Sequence, residues 1–256
     1  MKKLNKKRFA IGFLSLFTGL GLSSVAYAQS GEVGVSKPLV LLITLAAISL
    51  VPFIVMMVTS FVKIAVVLAL IRSALGTQQV PPNLIITGLA TILTIYIMMP
   101  VGLDVYRAAG NVINRGTNQP LISQASVELL RDAVSVGKEP VRGFLLKHVH
   151  EKDRVLFYNL AKKLRTNEED RAAISDTDFM NIIPAFVVSE LSEAFQIGFI
   201  IFLPFLVIDL VIANILLSLG MFQISPVTIS LPFKLLLFVL VSGWHMIAKG
   251  LILGYV

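Results

Sequence analysis

The chain has 256 residues, of which 56% are hydrophobic and 14% charged. Soluble domains carry about 25% charged residues, so an ordinary soluble fold is excluded and a membrane protein is expected. The formal net charge of +7 gives no basic patch for nucleic acid, because Lys2, Lys3, Lys6, Lys7 and Arg8 supply five of those charges. The chain has no cysteine, which removes disulfides and thiolate metal sites.

Those five basic residues precede the apolar run "FAIGFLSLFTGLGLSSV" and the tripeptide "AYA". Basic, apolar and small-residue regions in that order predict a secretory signal peptide over 1–28, cleaved after Ala28, with a short periplasmic segment over 29–37. Residues 38–101 form an expected hydrophobic helical hairpin. No charge lies between Lys37 and Lys63, a run of 25 residues, against about 20 needed to cross the hydrocarbon core. "SALGTQQVPPN" reads as a turn, since paired prolines remove donors and disfavour helix before them, so the second span is expected over Leu84–Val101. Lys63 and Arg72 are taken as charges of the connection between the spans, which the positive-inside rule then places in the cytoplasm.

Residues 102–183 hold 12 Lys/Arg and 11 Asp/Glu and are expected to form a polar, mainly helical periplasmic insert. "VELLRDAV" and "EKDRVLFYNLAKKLR" carry opposite charges at helical spacing. Residues 184–256 are expected to form hydrophobic hairpins. Their uncharged runs of 15, 24 and 14 residues, separated by Asp209 and Lys234, do not fit regular spans. A helix over 185–220 would measure about 54 Å, so it must kink at Pro204 or fold back.

Several residues could carry chemistry. Glu190 and Glu193, three apart, share a helix face and could form a proton path, a cation site or an assembly contact. Asp209 in "FLVIDLVIAN" and Lys234 in "LPFKLLLFVL" are costly against lipid, by about 2.5–3.5 kcal/mol on the mildest scale. They are candidates to pair, within one chain or between subunits. Ala65, Ala69 and Ser73 make a small-residue stripe suited to close helix packing, and Gly250 and Gly254 repeat the spacing. "HVH" at His148–His150 lacks a third ligand and is not taken as a metal site, and His245 is read as a hydrogen-bonded core or interface residue. No P-loop, zincin or nucleophile-elbow motif is present, so no catalytic residue, cofactor or metal is expected.

The segments "MVTSFVKIAVVLALIRSALGTQQVPPN", "IYIMMPVG", "PAFVVSELSEAFQIGFIIFLPFLVIDLVIANILLSLGM" and "SPVTISLPFKLLLFVL" resemble the SctR/FliP family of type III secretion export-gate proteins. "TSFVK" and "GTQQVPPN" resemble the injectisome branch more than the flagellar one, although a cleavable signal is the more usual in flagellar members. The resemblance implies a non-enzymatic, all-α integral membrane subunit of the bacterial inner membrane, with kinked helical hairpins packed into a homo-oligomeric, pore-forming assembly. Five copies are expected, together with SctS/FliQ-like and SctT/FliR-like subunits, a SctV/FlhA-like gate protein, membrane lipid and, as substrate, unfolded secreted proteins. Glu190, Glu193, Asp209 and Lys234 would then be buried or channel-facing groups at subunit contacts. The position of the family's methionine-rich sealing loop falls on Met221, Phe222 and Gln223, with one methionine kept; "VSGWH" has Ser242 where relatives carry an acid. The alternative from the residues alone is an ion-coupled transporter using Glu190, Glu193 and Asp209. A transporter would satisfy its charges within one chain, whereas an export subunit is expected to leave them to neighbours.

Overall fold

A computed structural model describes residues 37–77, 80–113 and 124–256. The leader expected at 1–28 and nearly all of 29–37 lie outside these residues. Nine helices follow one another in the described chain, with no strand among the described residues. They are α1 (Lys37–Met57), α2 (Phe61–Leu75), α3 (Asn83–Ile113), α4 (Gln124–His148), α5 (Glu151–Leu164), α6 (Glu168–Ala172), α7 (Phe179–Ser218), α8 (Pro226–Leu240) and α9 (Gly243–Leu253). The protein is an all-α membrane protein. Two helical segments, Asn83–Val112 and Phe179–Ser218, are long and apolar enough to cross a bilayer by themselves.

Local chemistry sets the breaks. The uncharged run after Lys37 does not continue as one helix to Val62. It stops at Met57, where Thr59 donates its hydroxyl to the Met56 carbonyl at 3.2 Å, a side-chain bond that competes with the helix ladder. The second helix ends at Gly76, which takes a left-handed φ of 74° and donates to Ser73, a conformation glycine reaches without strain. The paired prolines at 81–82 then lead into α3, whose first turn is tied by the Pro82 carbonyl to the Ile85 and Ile86 amides. The α3 helix contains the expected span Leu84–Val101 and continues through Pro100 to Ile113.

Of the two courses expected for the long apolar segment after Pro184, the fold-back within 185–218 does not occur. The α7 helix is continuous over 40 residues through both Pro184 and Pro204, about 60 Å at 1.5 Å per residue. The chain folds back only beyond Ser218. There Met221 donates to Leu216 at 2.9 Å and Gly220, with φ 74°, donates to Leu217 at 3.1 Å. This 6→1 and 5→2 pair closes the helix and satisfies its last carbonyls. Pro226, pre-set for a first helical turn, then opens α8. The α8 and α9 helices meet at a 59° bend. Ser242 at that bend has a left-handed φ of 52°, a backbone that an aspartate or asparagine adopts more readily.

The chain divides into two compact units. Of the described residues, one comprises 37–55, 103–113 and 124–140; within it Gly137 of α4 packs near Val105 and Ala109 of α3. The other comprises Met56–Gly102 with Val141–Val256. The polar insert expected over 102–183 is therefore not one body, because its second half folds with the apolar C-terminal helices. In this larger unit Ile64, Val67, Leu68, Ile71, Ala74 and Leu75 of α2 are buried against Ala194 and Phe205 of α7, Phe238 of α8 and Leu251 of α9. A second cluster joins Phe144, Leu145, Ile182, Phe186 and Tyr255.

Buried Gly198 of α7 lies directly against the Leu70 side chain of α2. A Cβ added there would meet Leu70, 3.1 Å from its Cβ and 3.2 Å from its Cγ. Gly198→Val is expected to destabilise by about 1–3 kcal/mol through overpacking, read as a lower unfolding temperature in detergent, and Leu70→Ala in the same chain is expected to restore much of it. An unchanged unfolding temperature in Gly198→Val would contradict the close approach.

Candidate functional site

Two clusters of charge bracket the α2 helix. At its start the Lys63 ammonium, only 3% exposed, lies 2.6 Å from Glu193 Oε2 and 3.1 Å from Glu190 Oε1. The Glu190 contact lies off the hydrogen-bond direction, leaving Oε1 without a formal hydrogen bond, so that attraction is electrostatic. The Tyr255 hydroxyl donates to Glu190 Oε2, and its ring lies beneath the same ammonium, 4.2 Å from centroid to Nζ. Glu190 is fully buried. A buried carboxylate persists as an ion only when paired and hydrogen-bonded, and here the chain itself supplies both.

The corner between α4 and α5 joins this cluster. His150 Nε2 lies 2.7 Å from Glu193 Oε1, while its Nδ1 is 3.7 Å from Asp153 Oδ2. Its backbone amide donates to Ser189 Oγ at 3.0 Å, and the Ser189 hydroxyl donates to buried Asp153 at 2.7 Å. Next to it, His148 packs its ring against Phe144 and Tyr255, with centroids 4.8 and 5.0 Å away. Burial, helped by the ammonium groups of Lys147 and Lys63, lowers the His148 pKa to about 4. His148 is therefore neutral near pH 7.

The second cluster lies beyond the end of α2. Lys234 of α8, 3% exposed, donates to Asp209 Oδ2 of α7 at 2.6 Å and to the Ala74 carbonyl at 3.3 Å. Ser230, one turn earlier on α8, donates to Asp209 Oδ1 at 2.5 Å. The ammonium thus neutralises a carboxylate and also meets one of the last carbonyls of α2, where helix dipoles favour a cation. Asp209 and Lys234 are paired within one chain. The expectation that such charges would be left to neighbouring subunits does not hold for this pair or for Glu190 and Glu193; what remains uncovered is apolar surface.

The FliP family model matches residues 44–251. The chain belongs to the FliP family. It is 46% identical over 217 residues to the Yop proteins translocation protein R of Yersinia pestis, covering 84% of this chain and 95% of that relative. It is 44% identical over 217 residues to the hypersensitivity response secretion protein HrcR of Ralstonia nicotianae, covering 84% and 96%. It is also 40% identical over 229 residues to the flagellar biosynthetic protein FliP of Bacillus subtilis, covering 90% and 97%.

In this FliP-family chain the residues at the sealing-loop position, Met221, Phe222 and Gln223, occupy the turn between α7 and α8. All three are exposed, Phe222 at 77%. The small-residue stripe is not where this chain packs most tightly: Ala65 and Ala69 are half-buried, Ser73 is exposed, and Ser73 bonds back to the Ala69 carbonyl at 3.0 Å. Gly250 has open space beside it and His245 is exposed, so neither packs in a core of this chain. Among the described residues no group of three or more His, Asp or Glu side chains is arranged to hold a metal ion.

Sequence reasoning misses five members of the first cluster: Lys63, His150, Asp153, Ser189 and Tyr255. Lys63 was assigned to an exposed connection, and its burial removes it as evidence for membrane orientation. His150 was weighed only as a metal ligand. Tyr255 gave no periodic or motif signal. The spacing of Glu190 and Glu193 on one face, opposite a single lysine in the preceding apolar helix, was the signal that could have paired them.

Proposed function

We propose that this chain is a core subunit of a type III protein-secretion apparatus in a bacterial inner membrane. With further copies and small membrane partners of the SctS/FliQ and SctT/FliR kind, it lines the entry passage through which unfolded proteins leave. It has no catalytic role. The α8 helix carries the reading. Its 15 residues reach about 22 Å, short of the ~30 Å hydrocarbon core, yet Phe233, Leu236, Val239 and Leu240 are exposed on it. Joined to α9 it is long and apolar enough for one broken span, but lipid cannot satisfy the backbone groups freed at its 59° bend. Neighbouring protein or a water-filled passage satisfies them.

The turn residues extend the reading to a gate. Met221 and Phe222 stand uncovered at the tip of the α7–α8 hairpin, and flexible methionine suits a plug that must deform. Met221→Ala with Phe222→Ala is expected to raise ion leakage through the resting, assembled complex several-fold, measured as membrane conductance. Unchanged conductance in a complex of normal yield would remove the seal from these residues. The injectisome branch is supported by "TSFVK" and "GTQQVPPN". Family membership favours an export subunit over an ion-coupled transporter; the intrachain pairing of Glu190, Glu193 and Asp209 is the arrangement expected of the transporter, so it is the family and not the charges that decides.

A further inference from the structure

The hairpin tip between α7 and α8 has little packing of its own. Between buried Leu216 on α7 and buried Ser230 on α8, every residue is exposed except half-buried Pro226. Met221 and Phe222 therefore take their position from what holds the two roots of the hairpin. On the α7 side that is the pair of helix-closing bonds from Gly220 and Met221. On the α8 side three elements converge. Ser230 and Lys234 of α8 both donate to Asp209 of α7, and Lys234 also donates to the Ala74 carbonyl of α2. Two residues on, Gly76 turns the chain away from α2 with a left-handed φ of 74°. A Cβ placed on Gly76 would stand 3.7 Å from Val227 Cγ1, 3.7 Å from Lys234 Nζ and 3.9 Å from Leu231 Cδ1. Val227, Leu231 and Lys234 are spaced by four and then three residues, which is one face of a helix. The turn after α2 thus sits against the first two turns of α8.

We propose, on the reading of Met221 and Phe222 as a gate, that the α2–α3 turn is the seat that positions the seal, with Gly76 and Leu231 as its positioning residues. The polar contacts of Lys234 and Ser230 fix which face of α8 meets α7 and α2. The apolar contact of Val227 and Leu231 with Gly76 fixes how closely α8 approaches the turn. Glycine is needed on both counts: it adopts the left-handed backbone without strain, and it leaves the space that the two side chains occupy. Across the turn the Arg72 guanidinium donates to the Asn83 side-chain oxygen, which ties the end of α2 to the start of α3. Closely packed side chains give way to added volume only by moving. Since α8 is helical from Pro226 onward, a displacement of its first turn passes to the exposed loop that precedes it.

The test is membrane conductance of the resting complex, assembled from the full chain and its small membrane partners. Gly76→Asn sets a side chain against Val227 and Leu231 while keeping a residue type that tolerates the left-handed backbone. It is expected to raise conductance several-fold at normal complex yield. Leu231→Ala, which empties part of the seat, is expected to do the same. The two together are expected to restore the seal, because the added amide fills the space the leucine leaves. A purely structural role would lower complex yield, and would not make two leaking variants seal when combined. Unaltered conductance in Gly76→Asn at normal yield overturns the proposal, as does a double variant that leaks as much as either single one. Should Gly76→Asn not assemble, unaltered conductance in Leu231→Ala overturns it. Met221→Ala with Phe222→Ala, measured alongside, tells the two failures apart. A leak there with none in the turn variants removes the seat and leaves the gate, whereas no leak there removes both.

Discussion

Lys63→Met is expected to destabilise the protein by about 3–5 kcal/mol, the scale for removing one partner of a buried ion pair. The loss should be read as a collapse in the yield of folded protein and of assembled complex. Glu190 would be left fully buried with a carboxylate oxygen facing a methyl group, and Tyr255 alone cannot balance a negative charge. The cost lies in the orphaned acid more than in the lost attraction. Lys63→Met with Glu190→Gln is therefore expected to recover most of the yield, since the amide still accepts from Tyr255 and Glu193 keeps His150. A single variant with unaltered yield, or a double variant as poor as the single, would show that Lys63 does not neutralise Glu190.

The pair at the other end of α2 makes a second expectation with an internal asymmetry. Asp209→Leu strands an ammonium that is 3% exposed and retains only the Ala74 carbonyl. Lys234→Ala strands a carboxylate whose side chain is 24% exposed and retains Ser230. Both should lower thermal stability and complex yield, Asp209→Leu near about 5 kcal/mol and Lys234→Ala near about 3 kcal/mol. Replacing both by apolar residues of similar volume, Asp209→Leu with Lys234→Met, should cost less than either alone. Additive losses in the double variant would count against the pairing, because residues in direct contact couple.

These expectations separate what the residues disclosed from what only packing decides. Uncharged runs and paired prolines disclosed the α1 and α3 helices, because hydrocarbon length and the missing proline amide act locally. Asp209 and Lys234 were legible as partners, since an isolated charge in an apolar helix must be compensated. The course of α7 was only partly legible: a proline in a long apolar run allows a helix that continues or a chain that folds back, and neighbouring helices choose between them. Lys63 was hidden for a similar reason. A lone lysine near the end of an apolar run reads as a loop charge until the facing helix is known to carry two carboxylates. The Ala65–Ala69–Ser73 stripe satisfied the rule for close approach, yet this chain makes its tight contact at Gly198, where Leu70 enters the gap.

A physical division of labour follows from the two clusters. Ionised groups are settled within the chain, along the α2–α7 contact, while leucine, isoleucine, valine and phenylalanine remain on the outer faces of α7 and α8. Lipid can cover a helix of bilayer length; it cannot satisfy the backbone groups freed at the 59° bend between α8 and α9. On the proposed reading, sister subunits and small membrane partners supply that cover.

The most direct measurement is the native mass of the detergent-extracted protein, made together with its small membrane partners. Several copies of this chain in one closed assembly, five by family resemblance, are the predicted result. A folded, stable single copy that never joins other copies or those partners would contradict the account.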